Sequence, residues 1–113
     1  MHPIRLLLTL ATALVLATAC KGADIPADKS AYIGQWRGND MRFELTPAGM
    51  VHFKRRRSGG STEINLPLQA FEGPNLTAGL GPASTTFVVT APPHQVDGKW
   101  TMTVDGVEVC RDN

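Results

Sequence analysis

Cys20 and Cys110, His52 and His94, and the run Lys54-Arg55-Arg56-Arg57 are the groups in this chain with chemistry to offer. A thiol can be acylated, paired in a disulfide or used as a nucleophile, and one sulfur does only one of these at a time. A bridge between the two cysteines would close a loop of about ninety residues, worth roughly 4–5 kcal/mol in the chain-entropy model. Nucleophilic catalysis has little to build on, because no serine stands in a G-x-S-x-G setting and Cys110 has no histidine beside it in sequence. His52 and His94 are isolated from further ligands, whereas a metal site needs several at close spacing. Asp97 and Asp105 each precede glycine, the ordinary turn use of aspartate. The chain therefore reads as non-enzymatic, with no cofactor and no metal.

The surroundings of Cys20 say more. Residues 6–19 are apolar apart from Thr9, Thr12 and Thr18, and they follow a start carrying His2 and Arg5. A spanning helix needs about 20 apolar residues; a positive start, a shorter apolar run and small residues before a cut make a secretory signal instead. Ala17-Thr18-Ala19-Cys20 resembles the lipobox of bacterial lipoproteins, with Ala17 where leucine is commonest. That resemblance implies a cleaved signal helix over 1–19, and a Cys20 that carries diacylglycerol on sulfur as the new N-terminus. Its acyl chains would be the partner of the membrane, since two or more chains hold firmly where one does not. Lys21 rather than aspartate after the anchor implies the outer membrane, facing the periplasm, in enterobacterial-type sorting. An ordinary signal cut near Ala19 would instead leave Cys20 free to pair with Cys110.

Residues 20–30, with Gly22, Pro26, alanines and mixed charge, show no helical or strand period. They read as a flexible tether that keeps residues 31–113, one small domain, less than about 20 Å from the lipid. Arg5 is the sole charged residue before Cys20, so the mature chain is nearly neutral. Nucleic acid is not an expected partner.

The elements that must position these groups are short strands. Eleven glycines and eight prolines interrupt every stretch long enough for a helix. Asp105-Gly106 lies between two alternating runs and favours a type I′ hairpin, pairing Val104 with Val107 and Met102 with Val109. Residues 41–46 alternate Met41, Phe43 and Leu45 against polar positions, and after a Thr-Pro-Ala-Gly turn Val51 and Phe53 continue the apolar face. Pro67 limits residues 62–71 to an edge strand, a bulge or two short strands. Residues 84–90 are a further strand, and 91–98 a long turn. The fold class is all-β: an antiparallel meander of seven or eight short strands, closed or nearly closed into a barrel because closure removes exposed edges.

Gly34-Gln35-Trp36 at the first strand resembles the G-x-W signature of lipocalins and related calycin barrels. The resemblance implies that an arginine near the last strand, here Arg111, packs on Trp36. In size, export and strand count the chain is also similar to small periplasmic barrel lipoproteins that inhibit lysozymes. The expected function is a lipid-anchored binding or inhibitory module, in which Lys54, Arg55, Arg56 and Arg57 form a hairpin tip. That tip would meet lipid headgroups, another anionic envelope component or an acidic protein. The same run also suits a solvated strand end that keeps an edge from pairing. The alternatives are a carrier with an apolar ligand inside the barrel, and a minor envelope enzyme.

Overall fold

Alternation becomes pairing at the hairpins that the turn residues announce. In the computed structural model, which describes residues 21–112, the strands are β1 (Gly34–Gly38), β2 (Met41–Leu45), β3 (Met50–Arg57), β4 (Gly60–Glu72) and β5 (Asn75–Leu80). β6 (Ala83–Phe87), β7 (Val89–Val96), β8 (Lys99–Val104) and β9 (Val107–Arg111) complete the sheet. Cys20 and the signal helix expected before it lie outside the described residues. Val104 pairs with Val107 and Met102 with Val109, as the Asp105-Gly106 turn dictates. Phe43 pairs with Phe53 and Leu45 with Val51 across the Thr-Pro-Ala-Gly turn.

All pairings are antiparallel, and the spatial order is β6-β5-β4-β3-β2-β1-β9-β8-β7. The sheet curls around one core. Trp36, Phe43, Leu45, Val51, Leu76, Phe87, Met102, Val104 and Val109 are at most 1 % exposed there, one alternating face of nearly every strand.

Two features of the expected barrel are corrected. There are nine strands among the described residues rather than seven or eight, because 89–96 is a strand where a long turn was expected. Pro92 and Pro93 fit within it because β7 is a sheet edge, pairing with β8 alone, and its register shifts where the prolines lie. The sheet is also open, a curled half-barrel. β6 and β7 are joined by Val88 alone, too short a link for them to fold back on each other, so each pairs outward, with β5 and β8. Side chains patch the seam: Asn75 Oδ1 accepts the Val89 N–H and Asp105 Oδ1 accepts the Val88 N–H, both at 2.8 Å. Asn75→Ala is expected to cost about 1 kcal/mol, the net value of one such bond. Urea denaturation measures the loss, and hydrogen exchange should quicken first at Val88 and Val89.

The ambiguous stretch around Pro67 is one long strand that changes partner. β4 pairs with β3 as far as Pro67 and with β5 from Leu68, with a bulge between Leu68 and Ala70.

A third correction concerns the tether. From Gly22 onward the segment is docked, not free. Gly22 N–H donates to Ala48 O at 3.0 Å and Ala23 N–H to Leu68 O at 2.9 Å. A Cβ on Gly22 would collide with the Gly49 carbonyl, so the approach requires glycine at 22. Ala23 and Ile25 pack on the core, and a 3₁₀ helix, Ala27–Tyr32, covers its end. The sparse apolar residues of this segment carry no period because they are used singly.

Tyr32 closes that end. Its hydroxyl donates to Pro74 O at 2.8 Å, and its ring meets Phe71 edge-on at 5.1 Å. Burial pushes its pKa above the ordinary tyrosine value, because the phenolate would be poorly solvated. A raised folded pKa means that this contribution to stability is complete below the unfolded value, about 10. It is lost as pH rises through the folded one. Tyr32 is the only tyrosine in the chain. Tyrosinate absorbance should therefore titrate at higher pH in the native protein than in urea; coincident curves would contradict the burial.

Candidate functional site

Strand register divides the basic run between two faces. Phe53 points into the core, so Lys54 and Arg56 point outward, while Arg55 lies on the inner face near the β8–β9 turn, its Nη1 3.4 Å from Asp105 O. Arg57 is exposed at the strand end. The four residues expected to act together at one tip thus do not share a surface.

Lys54 and Arg56 instead meet two cations from other strands. The β1–β2 and β2–β3 registers place Arg37 opposite Arg42, and Arg42 opposite Lys54. With Arg56 one step along β3, they surround an outer-face hollow of about 410 Å³, with Asp40 as its one acidic lining residue. Arg37, Arg42, Lys54 and Arg56 are all exposed. Arg37 Nε lies 2.8 Å from Asp112 Oδ2; among the described residues no ion pair restrains the other three. Like charges directly opposite on neighbouring strands are destabilising, and here three stand in a row.

The row was half legible. The hairpin register that pairs Phe43 with Phe53 also pairs Arg42 with Lys54, one residue along on the other face. Arg37 depends on the two-residue Asn39-Asp40 turn, where Asp40 adopts φ 57°. No Asx-Gly pair marks that turn in the sequence.

Comparison of the chain with protein-family models, with curated proteins and with solved structures finds no match. The site must be read from its own geometry.

Trp36 and Arg111 are in contact. The Arg111 guanidinium carbon lies 5.5 Å from the Trp36 ring centre and 4.9 Å from that of Trp100. Its Nη1 donates to Ala31 O at 2.8 Å and to Ile33 O at 3.3 Å. Gly34 leaves the Arg111 stem room to pass, since a Cβ there would stand 2.6 Å from Cδ. Arg111 thus ties the last strand to the first and to the 3₁₀ helix, a structural use of its charge.

The remaining reactive groups are kept apart. His94 and Cys110 are both cross-strand partners of Thr101, on opposite sides of it, two strand spacings or about 10 Å from each other. Cys110, half-buried and without a cysteine partner among the described residues, has its Sγ 3.8 Å from Thr101 Oγ1, while His94 Nδ1 lies 2.8 Å from Pro92 O. His52 Nδ1 lies 2.7 Å from Asn65 Oδ1 on the outer face. Among the described residues no three His, Cys, Asp or Glu side chains converge as metal ligands, and no helix is long and apolar enough to cross a membrane.

Proposed function

We propose that this chain is a lipid-anchored bacterial envelope protein, held at the outer membrane through Cys20, and a non-enzymatic module that binds an anionic envelope component. Its contact surface is the outer-face groove of Arg37, Arg42, Lys54 and Arg56 rather than the hairpin tip. The observation that carries the reading is the row Arg37–Arg42–Lys54. A sheet gains nothing structurally from three opposed cations, and local rules are broken most often where a site requires it. Arginine suits the role, because its planar fork grips carboxylate or phosphate oxygens two at a time.

The aromatic packing weighs against a carrier. Phe43 and Phe87 meet edge-on at 5.4 Å, and Phe53 and Phe87 at 5.0 Å. These rings, which would line a ligand chamber, fill one another's space.

Two measurements test the proposal. Mass spectrometry of the mature N-terminus should find acyl chains on Cys20; a bare thiol or a Cys20–Cys110 bridge would refute the anchor. Crosslinked pull-down from the envelope should lose its anionic partner when Arg37, Arg42, Lys54 and Arg56 are replaced by glutamine. The same partner should survive replacement of Arg55 and Arg57. Equal recoveries from both variants would dismiss the groove.

A further inference from the structure

We infer that the anchored domain stands on its membrane by the β2–β3 turn and displays the basic groove away from it, toward an extended polyanion beyond the anchoring leaflet. This rests on the reading that Cys20 carries lipid.

The argument begins at Gly22. Only Lys21 separates Cys20 from the first pinned residue, and Gly22 and Ala23 are held by Ala48 in the β2–β3 turn and by Leu68. The anchor therefore leaves the domain beside that turn. β3 starts immediately after the turn, at Met50, and runs eight residues to Arg57, roughly 23 Å at about 3.3 Å per residue. Arg42 sits three residues back from the turn end of β2, about 10 Å along it; Lys54, its partner on β3, lies level with it, and Arg56 lies farther out. The screening length at physiological salt is about 8 Å. Every cation of the groove is thus more than one screening length from the pinned end.

Charge along the outer face runs the same way. The row nearer the turn holds Gln35, Glu44, His52 and Asn65, and the next row outward holds Arg37, Arg42 and Lys54, with Glu63 at its β4 end. The pinned segment itself is balanced, Lys21 and Lys29 against Asp24 and Asp28, with Lys21 Nζ 3.4 Å from Asp24 Oδ1. A surface built for its own anionic headgroups would carry its cations at the pinned end. Laying this face flat on the leaflet would press Glu44 and Glu63 against it as well.

The occupant follows from what the groove lacks. Protein interfaces centre on aromatic or large apolar anchors. The exposed large apolar residues here, Leu80, Val88 and Val96, lie on or beside β5, β6 and β7, away from the groove. Met41 in the groove is 2 % exposed. What remains is a row of cations one strand spacing apart, about 5 Å, which matches a chain bearing repeated oxyanions.

The test uses the full lipidated chain in phosphatidylcholine vesicles, with Cys110→Ser and one fluorophore on Pro47→Cys or Ser58→Cys. A headgroup quencher should dim the label at 47 and spare the label at 58, with or without added anionic lipid. Polygalacturonate and polyphosphate, carrying carboxylate and phosphate respectively, should each be offered; saturable binding of either, weakened roughly thirtyfold by Arg42→Gln with Lys54→Gln, supports the proposal. Circular dichroism of the double variant checks that it is folded. Equal quenching at 47 and 58 in anionic vesicles overturns the orientation, and no binding of either polymer overturns the occupant. An unmodified Cys20 is a separate failure, that of the anchor itself.

Discussion

Trp36→Ala is expected to lower the stability of the domain by about 3–5 kcal/mol, a large fraction of the about 5–15 kcal/mol that folded domains have. Trp36 is 1 % exposed at the meeting point of three separate parts of the chain. Its Nε1 donates to Tyr32 O at 2.9 Å, which ties β1 to the 3₁₀ helix. Its face receives Arg111 from β9. Removing the ring leaves a cavity, frees the Tyr32 carbonyl, and leaves Arg111 with Trp100 alone for stacking. Trp36→Phe separates these effects: most of the volume remains while the N–H is lost, so a cost of about 1–2 kcal/mol is expected. Arg111→Lys keeps the charge but loses the flat stacking surface and the forked donors. Urea titrations of the three variants check the order. Were Trp36→Ala to unfold no earlier than Trp36→Phe, the ring would not be the keystone that its burial implies.

The elements legible in the sequence were those whose turn and pattern agree. At Asp105-Gly106 and at Thr46-Pro47-Ala48-Gly49 the turn residues fix the register, and apolar alternation on both sides selects the same pairing. Where the two signals conflict, the sequence misleads for identifiable physical reasons. Pro92 and Pro93 imitate a loop, and only the position of β7 at a sheet edge makes them compatible with a strand. The length of the Val88 link decides that the barrel stays open, and a strand tally is blind to that. Residues 22–30 look like a tether because their contacts are backbone hydrogen bonds and isolated apolar side chains, neither of which leaves a period. The candidate site shows the same divide. Lys54 to Arg57 was conspicuous as a run in sequence, yet a strand sends neighbours to opposite faces. The cluster that the fold assembles keeps Lys54 and Arg56 and adds Arg42, one turn away, and Arg37, two turns away.

Arg42→Glu is expected to make the domain more stable and to remove its binding. Arg42 stands between Arg37 and Lys54, so a glutamate there turns a row of three like charges into an alternating one. Relief of two repulsions and gain of two attractions should add about 0.5–1 kcal/mol at these exposed positions, read as a higher urea midpoint with an unchanged slope. The gain should shrink in high salt. The groove meanwhile changes by two charges at its centre, which at about 1 kcal/mol per charge weakens association with a polyanion roughly thirtyfold. A purely structural row predicts one half of this outcome without the other: the stability would change and capture from the envelope would not. Opposite movement of the two readouts in a single variant is what a surface kept for binding at the expense of its own sheet must show. A stable variant with undiminished capture would return Arg37, Arg42 and Lys54 to the role of solvated side chains.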